Sequence, residues 1–552
     1  MNCKPLAIAL AALVFAACNT PVKTKNEESG ASAFSADSLV RHIKILSSDA
    51  FQGRKPFTEG ETKTIAYLQD QFRALGTEPG NGNSYLQEVP MIDILSLPDT
   101  LMQVHTPKGA LQLKGYDEYV WSTPKTDAVV SLDNVPVVFA GYGVVAPEYH
   151  WNDYEGLDVK GKIVMVLVND PGFNNGDTTL FKGKTMTYYG RWTYKFEEAA
   201  RQGARGCLVI HSTAAASYPF SVVQNSWNES ELRLDNKDEK LLDAQGWISM
   251  EAAKKLIIAG GQDTAIIAKA DIPGFRAISL NETVSTQIKT KVTYSKSHNV
   301  IAKITGTKYP DEYVLYTAHW DHPGIGKPDA RGDSIYNGAL DNASGTAALL
   351  EFARVWKNQQ TPPERTVVFL AVTAEEQGLL GSAYYAQHPV YPLAKTVGVL
   401  NVDEVNNYGR TKDIMVVGQG QSEMEDLLKE EAEKQGRYIS YDATPEAGHY
   451  FRSDHFSFAK AGVPALAQGF GIDVVGKGKA YGKKMQEAFN EQHYHSPSDE
   501  YQTSWDLSGA VDDLQLLFMV GKRLAYGHTW PGWKAGSEFK AGRDKTAAAR
   551  TK

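Results

Sequence analysis

The chain has 552 residues, enough for about two to four domains. Its 57 Lys and Arg against 65 Asp and Glu leave a net charge of −8 with no long basic run, which argues against a nucleic-acid binder that works by neutralising phosphates. Composition is ordinary for a globular chain, 42% hydrophobic and 22% charged, and no apolar run reaches the roughly 18–20 residues of a spanning helix, which argues against an integral channel or transporter.

The first residues read as a targeting segment. Lys4 supplies a positive start, residues 6–17 a short apolar run, and Phe15-Ala16-Ala17-Cys18 small residues before a cysteine. The run resembles a bacterial lipoprotein signal, which implies cleavage after residue 17 and a lipid anchor on Cys18; a plain secretory signal is the alternative. Both predict export, and the anchored form places the protein in the bacterial cell envelope. Residues 18–36, rich in Lys, Asn, Glu and Ser, read as a polar tether. Of the three cysteines, Cys3 and Cys18 fall in the leader, so Cys207 stands alone in the body. An intramolecular disulfide and a thiolate-rich zinc site are then both excluded, and Cys207 reads as a small core residue.

Beyond the tether, Ile65, Leu68, Phe72 and Leu75 recur at helical spacing, with Gly76 where a C-cap belongs. From 111 to 273 the texture becomes short β-rich runs with frequent glycines, among them residues 135–140, 162–168 and 207–211, and a helical stretch at 195–202. This region reads as a domain inserted between residues 37–110 and 274–533. From about residue 278 strands and helices alternate, the pattern of a doubly wound α/β sheet. Residues 313–318, 366–372 and 396–402 are apolar strands, and 344–356 is the helix between the first two. The Lys-, Ala- and Gly-rich tail 534–552 reads as frayed.

Each of those three strands runs into a metal-ligand type: His319, the pair Glu375-Glu376, and Asp403. Open α/β sheets bind ligands outside the carboxyl ends of their strands. Asp341 lies at a helix start among small residues, and His495 follows Tyr494 late in the chain. Two imidazoles and three carboxylates are too many for one tetrahedral zinc with an open position, and suit two metals sharing a bridging carboxylate. In Glu375-Glu376 one acid can ligate while the other takes a proton from the attacking water. Asp321, two residues after His319, can accept the second ring N–H and fix the tautomer.

The order His-x-Asp, Asp, Glu-Glu, Asp, His resembles the secreted di-zinc aminopeptidase family, which also contains glutamate carboxypeptidase, glutaminyl cyclase and the transferrin receptor. The resemblance implies a mixed, mostly parallel sheet with helices on both faces and two zinc ions. It assigns His319, Asp341 and Glu376 to one metal and Asp341, Asp403 and His495 to the other, with Asp341 bridging. Glu375 becomes the catalytic base, Asp321 the orienting acid, and Tyr494 a stabiliser of the tetrahedral intermediate. Arg452-Ser453-Asp454-His455 resembles a family motif near the site, with Asp454 and His455 structural. The segment 111–273 is similar to a protease-associated domain through Gly141-Tyr142-Gly143, residues 157–162, Ala199-Ala200 and Gly203-Ala204.

The implied function is an exported aminopeptidase acting on peptides. Carboxypeptidase or cyclase chemistry on the same site and a non-enzymatic receptor are the alternatives. His322, His388, His449, His455 and His493 read as structural or surface residues, His322 being close enough to touch a ligand. Glu404 reads as a bystander. The Tyr-rich stretch 185–194 fits a channel lining or plain loop packing equally well.

Overall fold

The computed structural model describes residues 34–227, 229–237 and 239–550, so the leader, Cys18 and nearly all of the tether lie outside the described residues. Among the described residues no helix is long and apolar enough to cross a membrane.

The strands that matter are β1 (Leu86–Pro98), β2 (Tyr119–Ser122), β3 (Val129–Phe139), β4 (Ile163–Leu167), β5 (Gly206–His211), β6 (Ala244–Ser249), β7 (Ile278–Ile304), β8 (Tyr309–His319), β9 (Arg365–Val372), β10 (Thr396–Asn401) and β11 (Ala465–Gly469). The helices that matter are α1 (Glu59–Ala74), α2 (Trp192–Arg201), α3 (Gly345–Lys357), α4 (Gly478–Gln492), α5 (Ser508–Tyr526) and α6 (Lys540–Lys545).

Around the site the order is β7-β9-β8-β10-β11; the last four are parallel and β7 runs antiparallel to β9. Every residue of β9 and of β10 is buried, as expected for parallel strands covered on both faces. After β8 the chain adds β9 on one side and β10 on the other, which makes the end of β8 a topological switch point. Ala347, Ala348 and Ala353 keep α3 close to the sheet, and its Phe352 ring lies 4.4 Å from that of Tyr316 on β8.

Residues 111–273 supply most of two further cores, one of which also takes Met102 and Val104. Strands β3, β4, β5 and β6 are mutually parallel neighbours, and β2 closes them antiparallel to β6. Strand β7 ties the two regions together. Its residues 278–289 pair with β3, and residues 300–304 pair with β9. Leu280, Val284 and Ile288 join one core, while Val300 and Ala302 join the other.

The tail corrects the expectation of fraying. Trp533, Phe539 and Arg543 are buried, and the Arg543 guanidinium donates to the carbonyls of Thr396 (3.0 Å) and Val397 (3.3 Å). Two anchors, Phe539 and Arg543, dispersed among Lys, Ala and Gly leave no periodic signal, which is why composition alone does not show that the tail packs.

Candidate metal centre

Three strand ends deliver the site. His319 is the last residue of β8, buried among packed side chains. Its Nε2 lies 3.2 Å from Asp403 Oδ1 and 3.3 Å from Asp341 Oδ1, and these three residues can converge on one ion. A second group forms on the other oxygen of Asp341. His495 Nε2 lies 3.2 Å from Asp341 Oδ2 and 2.9 Å from Glu376 Oε2, while His322 Nδ1 lies 2.8 Å from Glu376 Oε1. His322, Asp341 and Glu376 also stand close enough to share an ion.

The grouping corrects the one implied by motif order: His319 goes with Asp403, and Glu376 with His495, while Asp341 serves both. The reason is strand adjacency. Strand β10 pairs with β8 directly, so Asp403, two residues past its end, arrives beside His319. The chain leaving β9 turns through Ala374 in left-handed backbone (φ 52°), which carries Glu376 round to His322 and His495. His322, read as structural with the option of touching a ligand, makes that direct contact, and its buried Nε2 has no partner among the described residues.

Asp321 also differs from expectation. The acceptor nearest His319 Nδ1 is the Asp321 backbone carbonyl at 3.2 Å; the carboxylate lies at 3.8 Å, beyond hydrogen-bond reach. That carboxylate instead accepts the Glu375 N–H at 3.1 Å, so Asp321 positions the glutamate's backbone. Glu375 Oε2 stands 3.9 Å from His319 Nε2. Burial first, and then the charges of Asp403, Glu376 and Asp454, push the Glu375 carboxyl well above the usual range against the pull of His319. The Tyr494 ring stacks on His495 with centroids 4.0 Å apart, and the residue is half exposed.

Several supporting residues gave no signal in the sequence. The Arg54 guanidinium is buried and donates to the carbonyls of Leu46, Trp320, Asn337 and Gly338 at 2.6–2.9 Å, tying β8's end to the Asp341 loop. A single arginine between Gly53 and Lys55 carries no pattern. Asp499 accepts the backbone N–H of Leu340 and Asp341, each at 3.0 Å. Its place four residues after His495 was the available clue. Ser453 donates to Asp403 Oδ2 at 2.5 Å, and Asn342 Oδ1 accepts the N–H of Glu404 at 2.9 Å. Glu404 lies outside both groups. His455 is buried with its ring 4.7 Å from that of Tyr450, and burial lowers its pKa to about 3.

Imidazole nitrogens and carboxylate oxygens without thiolate, three residues to a group, fit a hydrolytic metal centre. Residues 299–519, which contain every one of these ligands, match the family model for Peptidase family M28. This segment belongs to peptidase family M28.

Relatives of the M28 segment include a probable zinc metalloprotease of Pyrenophora teres f. teres, 34% identical over 164 residues, 30% of this chain and 30% of that protein. Aminopeptidase NAALADL1 of Mus musculus is 33% identical over 139 residues, 24% of this chain and 17% of that protein. The matches thus span about a third or less of the relatives' length. Among solved structures, the aminopeptidase from Aneurinibacillus sp. strain AM-1 is 18% identical, with a TM-score of 0.47 over 91% of this chain and 96% of that one.

Proposed function

We propose that the protein is an exported, zinc-dependent aminopeptidase that removes N-terminal residues from peptides and holds two zinc ions per chain. The observation that carries this reading is the pair of ligand groups sharing Asp341, with the unligated acid Glu375 buried beside them. His319, Asp341 and Asp403 would hold one ion, and Asp341, Glu376 and His495 the other. Bound zinc supplies polarisation of the scissile carbonyl and a more acidic attacking water. Glu375 accepts the proton of that water and delivers it to the leaving amine. Asp321, through the Glu375 N–H, keeps the base in place, and the Tyr494 hydroxyl steadies the developing oxyanion. Residues 111–273 serve as an inserted, protease-associated-like domain, and the chain is held at the envelope through Cys18.

The test is metal content of the chain from residue 19 onward, with hydrolysis of aminoacyl-anilides and N-blocked peptides. About two zinc ions per chain and cleavage restricted to free amino termini support the reading. Cleavage of blocked peptides alone would reassign the protein as a carboxypeptidase. A chain without metal or turnover would be a binding module.

A further inference from the structure

Glu376 turns its two carboxylate oxygens to different partners. Oε2 lies 2.9 Å from His495 Nε2, which is itself 3.2 Å from Asp341 Oδ2, so Oε2 belongs to the group that can hold an ion. Oε1 accepts the Nδ1–H of His322 at 2.8 Å. That imidazole is fully buried, and its Nε2 has no partner, so this is the one hydrogen bond its ring makes among the described residues. Close packing fixes the ring from behind. Gly338 adopts left-handed backbone (φ 55°), and a Cβ there would lie 2.5 Å from His322 Cγ and Cδ2. The Gly338 carbonyl accepts from the Arg54 guanidinium at 2.9 Å, so the residue that leaves room for the ring is itself held. On another side the His322 ring meets that of His495 edge to face, with centroids 5.7 Å apart. A ring confined in this way cannot swing Nδ1 away from Glu376 without displacing Gly338 or His495.

The two ligand groups differ in what stands behind them. In the first, the outer oxygen of Asp403 accepts the Ser453 hydroxyl at 2.5 Å, and His319 Nδ1 faces the Asp321 carbonyl at 3.2 Å. In the second, His495 is exposed with its ring stacked on Tyr494, and His322 is the buried donor to the ligating carboxylate. A carboxylate with one oxygen committed to a donor offers the other to the metal, and loss of such a donor weakens metal binding by about 10–100-fold. His322, Asp341 and Glu376 also stand close enough to share an ion. The division of the Glu376 oxygens, Oε1 to His322 and Oε2 to His495, favours the hydrogen bond over a metal bond for His322.

We propose that His322 is a positioning residue for one of the two ions: its Nδ1–H holds Glu376 Oε1 so that Oε2 alone faces the metal. The tightness of the Glu376–His495 position then depends on His322, and that of the His319–Asp403 position does not. The proposal rests on the two-metal reading above and adds a residue that belongs to neither ligand set.

The experiment titrates the full chain with zinc in competition with a chromogenic chelator, for wild type, His322→Leu and His322→Asn. His322→Leu should weaken one of the two binding steps by about 10–100-fold and leave the other in place. Asn is close to Leu in volume and keeps an N–H donor near the position of Nδ1, so His322→Asn should regain most of the loss. With Glu376→Ala as background, the step that remains should be the same with and without His322→Leu, because the donor then has no ligand to hold. Cobalt-loaded wild type and His322→Leu should share the same visible bands at saturation, since a donor outside the coordination set leaves the number and kind of ligands unchanged. Both steps weakened alike, neither weakened, Asn no better than Leu, or a further loss in the Glu376→Ala background each overturn the proposal. Cobalt bands that move with His322→Leu overturn it too, by making His322 a ligand. If the Leu variant does not fold, His322→Asp replaces it: Asn binding more tightly than Asp at one step sustains the proposal, and equal binding refutes it.

Failure of the functional reading shows separately. A wild-type chain that takes up no zinc removes the metal reading and this proposal with it. A chain that binds two zinc ions and cleaves no peptide removes the peptidase activity, and the affinity comparison still decides the part of His322. Two ions, normal turnover and unchanged affinities in His322→Leu overturn this proposal alone.

Discussion

Glu375 and Glu376 are neighbours with different surroundings, and the difference assigns their roles. Glu376 has both oxygens on histidines, whereas the nearest histidine nitrogen to Glu375 is 3.9 Å away. Glu375→Gln keeps the shape and removes the base, so turnover should fall by about 10²–10⁴-fold while zinc content stays at the wild-type level. Near-normal turnover would remove Glu375 from the mechanism. Asp341 offers one oxygen to each group. Asp341→Asn should therefore strip metal from both positions at once, which metal analysis after dialysis would read directly; loss of half the metal would mean that the two groups fill independently. Both residues were legible as candidates because they follow apolar strands or open a helix. The division of His319 and His495 between Asp403 and Glu376 was not, because linear order carries no record of which strands are adjacent.

At the level of elements, α5 crosses the sheet with Gly521 facing Tyr316 of β8, and a Cβ there would run into the tyrosine hydroxyl. Gly521→Ala should cost about 1–3 kcal/mol, because the ring is fixed between Phe352 and Phe369 and has nowhere to go. An unchanged denaturation midpoint would show that α5 can shift away from the sheet. Strand β7 holds a second test in Glu282, buried with neither carboxylate oxygen hydrogen-bonded among the described residues. Burial pushes its carboxyl up from 4.5 to about 8. A raised acid makes the folded state bind more protons than the unfolded one between those two values, so its contribution to stability falls as pH climbs through that window. Glu282→Gln should flatten the loss of thermal stability between pH 5 and 8; an identical slope in the two proteins would mean the carboxylate is solvated. Helices and strands were largely readable from period and boundary residues, as with α1 ending just before Gly76, which adopts a positive φ of 72°. The tail helix α6 was not, since its burial depends on Thr396 and Val397 far back in the chain.

For the whole molecule, the centre concentrates carboxylates. Asp321, Asp341, Glu375, Glu376, Asp403, Glu404, Asp454 and Asp499 meet His319, His322, His495 and the buried Arg54. Divalent cations relieve that repulsion only in the folded arrangement, where the ligands are together. Dialysis against a chelator should lower the denaturation temperature and added zinc should restore it, with magnesium less effective because it prefers oxygen donors in an octahedral set. A midpoint indifferent to chelation would mean that the like charges are neutralised by protons instead.

The sequence by itself determined the α/β class and the strand ends that carry His319, Glu375-Glu376 and Asp403, because hydrophobic period and residue chemistry are local properties. Tertiary structure alone decided which ligands share an ion, that the Asp321 carboxylate grips the Glu375 backbone, and that Arg54 and Asp499 brace the Asp341 loop. Each of these joins residues tens to hundreds of positions apart, or turns on a backbone angle, and the folded sheet is what sets both.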